Sequence, residues 1–258
     1  GTAEAQFSLA EIYFKQRNFA SAKTYYQQAL NNSQFARRGL ASFRLAWCQY
    51  NTGAVSKAVQ GLETILNDPK LLTRGGENLV NVDQDFKAEV AKDYTVFMAH
   101  SSQISLAAIQ KVYKLSPNKS RIENVSFLAK ELERLGQIEQ AQQAWELVVR
   151  ETSDPQIRME GLVYLAGLQM KCSQKEKILP YLKRALRNWA SLQSCKNQRV
   201  CDELKKRIRA LVFDWNRTEK KNPSASLLEA YEGYFTVEST DREAYELASQ
   251  AAIQAKDY

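Results

Sequence analysis

Apolar positions recur along this chain at helical spacing. In FSLAEIYFKQRNFASAKTYYQQAL, which begins at Phe7, the residues Leu9, Ala10 and Tyr13 precede a polar break, Lys15-Gln16-Arg17-Asn18. Phe19, Ala22, Tyr26 and Ala29 follow it. Steps of three and four residues mark one face of an α-helix, so the stretch predicts two helices joined by a short turn. Ala10, Ala22 and Ala29 let the two approach closely, while Leu9, Tyr13, Phe19 and Tyr26 fill the remaining space. The same order returns from Ala41 in ASFRLAWCQYNTGAVSKAVQGLETILNDP. Leu45-Ala46 repeats Leu9-Ala10, Gly53 supplies the turn, Ala58 and Ile65 repeat Ala22 and Ala29, and Asp68-Pro69 ends the second helix. A third copy, from Ser126, keeps Leu128-Ala129, Leu132, Gly136, Ile138, Ala141, Trp145 and Val148 at those spacings and closes at Asp154-Pro155.

Two further pairs carry the pattern in weaker form. One joins 84–100 to 104–115 and ends at Ser116-Pro117. The other joins 157–171 to 174–192, with Leu165-Ala166 and Ala185 in register. Pro180 falls inside its second helix and is expected to delay or kink it. The segment 70–82 is longer than an ordinary inter-repeat turn, and Gly75-Gly76 marks it as a mobile loop. After residue 192 a polar stretch leads into a long helix with Leu204, Ile208, Leu211, Val212 and Trp215 on one face. Lys205, Lys206 and Arg209 lie off that face. Asn222-Pro223-Ser224 ends it, 226–237 reads as another helix, and 241–258 reads as the first helix of one more pair. A first helix without its partner leaves an apolar face open, so the natural chain is expected to continue past Tyr258.

These residues resemble the tetratricopeptide repeat (TPR), a helix–turn–helix of about 34 residues with a small residue in the first helix, Gly at the turn, Ala early in the second and Pro at the end. The resemblance implies an all-α fold: a right-handed superhelical solenoid of antiparallel helix pairs, here with degenerate repeats and an extra long basic helix. Repeat units fall at about 3–36, 39–72, 83–117, 122–155 and 157–192, forming a solenoid over 1–193. Residues 194–258 add the cysteine loop, the basic helix and further repeat-like helices.

The resemblance also implies a use. First helices of such arrays line a concave face on which peptides or folded partners bind. Its positions map to Phe7, Glu11 and Phe14 in the first unit and to Phe43, Trp47 and Tyr50 in the second, an aromatic row. Phe7, Phe43 and Trp47 would anchor a protein or peptide segment, Glu11 would meet a basic or N–H group, and Arg44 would set register. The family subset that grips a C-terminal carboxylate has Lys and Asn where Phe7 and Glu11 stand, so that activity is not implied. A bland reading competes: the rings pack first helix against first helix. The style of the chain resembles bacterial cell-envelope TPR scaffolds, which implies the periplasm or envelope of a Gram-negative cell, with the cytoplasm as the alternative.

Composition narrows the picture. The 258 residues hold only 10 Gly and 5 Pro, too few for the turns of an all-β fold. No apolar run approaches the roughly 20 residues of a membrane span. The formal charge is +7, and its source is local: 171–221 holds 15 Lys and Arg against 5 Asp and Glu. Lys183, Arg187, Lys205, Lys206 and Arg209 would form the patch, either as a solvated helix face or as a site for an acidic partner, a nucleic acid or an anionic surface. Cations confined to one segment, with no base-reading side chain per repeat, argue against a nucleic-acid code. One histidine, His100, and no Gly-rich phosphate loop leave little for catalysis, so neither enzyme activity nor a cofactor is expected. Cys195 and Cys201 have five residues between them, a spacing unlike that of zinc ligand pairs. They read either as a loop-closing disulfide, which would imply an oxidising compartment, or as free thiols, and no metal is expected.

Overall fold

The computed structural model describes residues 2–74, 81–102, 104–172, 174–191 and 197–256. Every regular element among them is helical: thirteen α-helices and one 3-10 turn. The chain forms two compact units, Gly1–Leu135 and Gly136–Tyr258. The division at 193–194 read from sequence follows the loss of the repeat pattern, which is a different criterion from compactness.

Unit one holds α1 (Ala3–Lys15), α2 (Phe19–Leu30), α3 (Arg38–Asn51), α4 (Val55–Asn67), α5 (Gln84–Ala99), α6 (Leu106–Leu115) and α7 (Arg121–Arg134), with a 3-10 turn at Pro69–Leu71. Each helix packs on the next from α1 to α6, and α7 rests on α5 and α6. The helices start where the sequence supplies caps. Thr2, Asn18, Asp83 and Ser105 each accept a hydrogen bond from a first-turn backbone N–H, satisfying donors that the helix itself leaves open. The small residues do what the pattern required: Ala10, Ala22, Ala29, Ala46 and Ala58 are all buried.

The turns inside the first two pairs share one geometry. Ala54 N–H reaches back to the Gln49 carbonyl, and Asn18 N–H to Tyr13, the six-residue closure that follows a left-handed residue at a helix end. That residue is Gly53 in the second pair, at φ 82°, and Arg17 in the first, at φ 60°. Gly136, in the third repeat, is also left-handed at φ 76°.

Part of the segment 70–82 is tucked against α3 and α4. Leu72 and Thr73 are buried, and Asp83 N–H donates to the Leu72 carbonyl at 2.8 Å. Gly39 makes the approach possible, because a Cβ there would collide with the Leu71 and Thr73 carbonyl oxygens. Its tip, 75–80, which includes the predicted Gly75-Gly76 loop, lies outside the described residues.

Unit two holds α8 (Ile138–Glu151), α9 (Pro155–Lys171), α10 (Lys175–Ser191), α11 (Gln198–Thr218), α12 (Ala225–Phe235) and α13 (Arg242–Lys256). Asp154 caps α9, with Pro155 as its first residue. Helix α10 passes through Pro180 instead of starting after it. The predicted apolar face of α11 is its buried face: Leu204, Ile208, Leu211, Val212 and Trp215 are all core. Helix α11 packs on α9, α12 and α13, and α12 also packs on α10, so the regular succession of pairs ends here.

Candidate functional site

The aromatic row predicted from sequence lies on the helices that open each pair, α1 and α3, and the structure sorts it into two kinds of residue. Phe7 is 2% exposed and Phe43 1%. Phe7 packs between Tyr26 and Phe35 at ring distances of 5.7 and 5.6 Å, and Phe43 meets Phe86 of α5 edge-on at 5.5 Å. These two are core, so their expected role as partner anchors is corrected. A ring sealed between helices has no face left to offer.

Glu11, Phe14, Arg44, Trp47 and Tyr50 are half-buried, and they tie neighbouring opening helices together. Arg44 lies 3.5 Å from Glu11 and over the Phe14 ring at 4.8 Å, linking α3 to α1. Glu11 also accepts the Tyr26 hydroxyl hydrogen bond; burial, then that bond, holds the Tyr26 hydroxyl above its ordinary range. From α3 toward α5, Trp47 Nε1 donates to Asp93 Oδ2 at 2.7 Å, and Tyr50 stacks on Phe97 at 4.0 Å. Burial raises the Asp93 carboxyl above its ordinary value, with the Trp47 N–H acting the other way. His100 ends α5, exposed and edge-on to Tyr50.

The open space on these helices is farther along. Between α5 and α7 runs a groove of about 370 Å³, lined by Ala88, Glu89, Lys92, Val96, Ser120, Glu123, Asn124 and Phe127. Phe127 is 42% exposed. Asn124 is buried and donates to Ser116 Oγ at 2.9 Å, which fixes the α7 wall. Glu89 is taken by Arg74 at 2.6 Å. The sequence held a signal for this place. Ser120, Asn124 and Phe127 repeat the i, i+4, i+7 spacing of 7, 11, 14 and of 43, 47, 50. It is faint because the α5–α6 pair before it departs from the repeat pattern.

The basic patch lies in unit two, and much of its charge is met within that unit. Lys183 pairs with Glu229, Lys205 with Glu238 at 3.3 Å, and Arg209 with Asp241 at 2.6 Å and Glu243 at 2.5 Å. The partners come from α12, α13 and the turn between them. Arg209 and the Tyr234 hydroxyl, which donates to Asp241 at 2.8 Å, hold the Asp241 carboxyl below its usual range despite partial burial. Arg187 and Lys206 are exposed. Cys201 is buried; Cys195 lies outside the described residues, and so does the expected pairing. Cys48 and Cys172 are free, and burial pushes the Cys48 thiol up to about 12. Among the described residues no group of three His, Cys, Asp or Glu could hold a metal, and no helix is long and apolar enough to cross a membrane.

Two family models, both described as tetratricopeptide repeat, match residues 3–33 and 40–70. These are the α1–α2 and α3–α4 pairs. No curated protein matches the chain. Solved structures that resemble it include a TPR repeats protein from Bacteroides fragilis, at 11% identity and TM-score 0.43, covering 97% of this chain and 98% of that one. Another is the C-terminal part of a TPR repeat-containing protein from Cytophaga hutchinsonii, at 16% and 0.40, covering 93% and 98%. A third is the TPR2AB-domain–pHSP90 complex of yeast Sti1, at 13% and 0.36, covering 97% and 98%. Small residues buried where two helices of a pair cross, left-handed turns between them, and the two family matches make residues 3–33 and 40–70 tetratricopeptide repeats.

Proposed function

We propose that the chain is a non-enzymatic scaffold that holds another protein through a segment laid on the opening helices of unit one. The observation that carries this is the groove between α5 and α7, an apolar strip beside charged side chains on helices that are otherwise tied to each other by aromatic contacts. The repeats themselves are of a kind that binds proteins. The setting we propose is a cell-envelope assembly; that part rests on the resemblance of the chain's style alone, and fractionation of the source cells tests it. Affinity purification of the full-length protein from its source, with wild type beside Phe127→Glu, tests the scaffold reading. A partner recovered by wild type and lost with the variant is the expected result. A partner retained equally by both moves the site off this groove.

Nucleic acid is the second reading, and the structure gives it less charge to work with than the sequence did. Binding through phosphates needs cations that are free to displace counterions. Lys183, Lys205 and Arg209 already face carboxylates.

A further inference from the structure

The two walls of the α5–α7 groove carry opposite charges that make no ion pair among the described residues. Lys92 is on α5 and Glu123 on α7; both are exposed, both line the groove, and neither belongs to an ion pair among the described residues. The other lining carboxylate, Glu89, is already neutralised by Arg74. Between the walls lie Val96 and Phe127. Lys92 and Glu123 stand on opposite helices, and both are wet. We infer that the occupant is a peptide segment whose apolar side chain enters between Val96 and Phe127, with an acidic residue on the edge facing Lys92 and a basic residue on the edge facing Glu123.

This inference rests on the scaffold reading and deepens it by naming the partner's chemistry. Charge complementarity supplies the argument. An all-acidic segment would meet Glu123, and an all-basic one Lys92; like charges brought together cost affinity and suppress wrong partners. A segment with both signs, placed on opposite edges, satisfies both walls in one orientation only, so the groove sets direction as well as affinity. The apolar contact supplies binding energy, since a half-exposed aromatic ring gains by being covered.

The test uses a phage-displayed library of random peptides panned against the full 258-residue chain. Recovered peptides are expected to share an apolar residue flanked by Asp or Glu on one side and Lys or Arg on the other. Phe127→Glu should weaken them about tenfold or more, a loss typical of a central anchor. The single variants Lys92→Glu and Glu123→Lys should each weaken them severalfold. The double variant should prefer peptides with the two charges exchanged, a gain that damage to the fold would not produce. Circular dichroism confirms that each variant is folded, and Phe127→Ser replaces Phe127→Glu if the latter is not. Peptides lost with Phe127→Glu but indifferent to both charge variants overturn the charge inference and leave the scaffold reading standing. Peptides bound equally by Phe127→Glu, and mapped to other residues of α1 or α3, overturn the groove while sparing the scaffold. A library that yields no binder, or only binders to unit two, overturns both.

Discussion

The joints between α1, α3 and α5 in unit one and those of α10 and α11 with α12 and α13 in unit two lean on different chemistry. In unit one, side chains running from α1 to α3 to α5 are mostly rings: Phe14 under Arg44, Phe43 on Phe86, Trp47 and Tyr50 on Phe97. In unit two, cations of α10 and α11 meet acids of α12, α13 and their turns: Lys183 with Glu229, Lys205 with Glu238, Arg209 with Asp241 and Glu243. Rings bury area and hold their geometry whatever the pH or salt. Exposed ion pairs contribute little each and are screened. The difference therefore predicts that unit one responds to changes in shape, and unit two to changes in charge.

The largest expected effect breaks shape. Gly39→Ala places a methyl group on the backbone carbonyls of Leu71 and Thr73, which cannot swing aside as a side chain would. Overpacking of this kind costs about 2–3 kcal/mol, read as a lower denaturant midpoint for unit one. Gly61→Ala is the control, since a Cβ there meets only the Ala46 methyl at 3.6 Å and the tip of a side chain; it should be nearly neutral.

The next effect breaks charge. Asp241→Ala removes the acceptor for Ala244 N–H, the Tyr234 hydroxyl and Arg209 together. Loss of a cap alone costs about 1 kcal/mol, and leaving Tyr234 without a partner brings the total to about 2 kcal/mol. Asp241→Asn, which keeps an acceptor, should lose less. The readout is hydrogen exchange of α12 and α13, with α1–α4 unchanged.

Acidification sharpens the same contrast. Asp241, Glu238 and Glu219 have folded values held below the ordinary ones. Asp241 is lowered chiefly by the Arg209 bond and Glu238 by Thr240; at Glu219 burial pushes upward, but the Ser224 and Trp215 bonds together outweigh it. A depressed carboxylate stabilises above its unfolded value, about 4, and loses that contribution as pH falls through the folded value. Among the described residues unit one contains one such case, Glu131 beside Arg134, but its Asp93 is raised by burial. A raised carboxyl works the other way: protonation favours the fold, so Asp93 gives back stability as pH falls. Unit two should thus open first below about pH 4, measured by exchange labelling at a fixed pH after incubation in acid. Equal opening of both units would show that the two kinds of joint do not differ.

The smallest effect is a gain. Arg17 holds the left-handed conformation that Gly53 and Gly136 hold elsewhere, at a cost that glycine does not bear. Arg17→Gly should stabilise unit one by about 0.5–1 kcal/mol, seen as a rise of a few degrees in melting temperature.

The repeat was legible in the sequence because each of its parts has a local cause. Ala10, Ala22, Ala46 and Ala58 must be small where helices cross, Gly53 and Gly136 must take φ above zero, and Pro69 and Pro155 mark helix boundaries. Those demands act within a few residues of the chain, so the chain displays them. The face of α11 was legible for the same reason, since its apolar positions share one helical stripe. What only the tertiary structure decided was what each side chain meets across helices. Phe7 and Phe14 stand seven residues apart on α1, yet one is core and the other half-open, because Phe35 and Tyr26 close over Phe7. The positive charge of the α11 segment is plain in the sequence, but the acids that meet Lys205 and Arg209 stand some thirty positions later, at Glu238 and Asp241. The α5–α7 groove needs two helices separated by a third. Spacing along the chain fixes which residues share a helix face; it does not fix which faces meet, and burial and charge pairing are settled there.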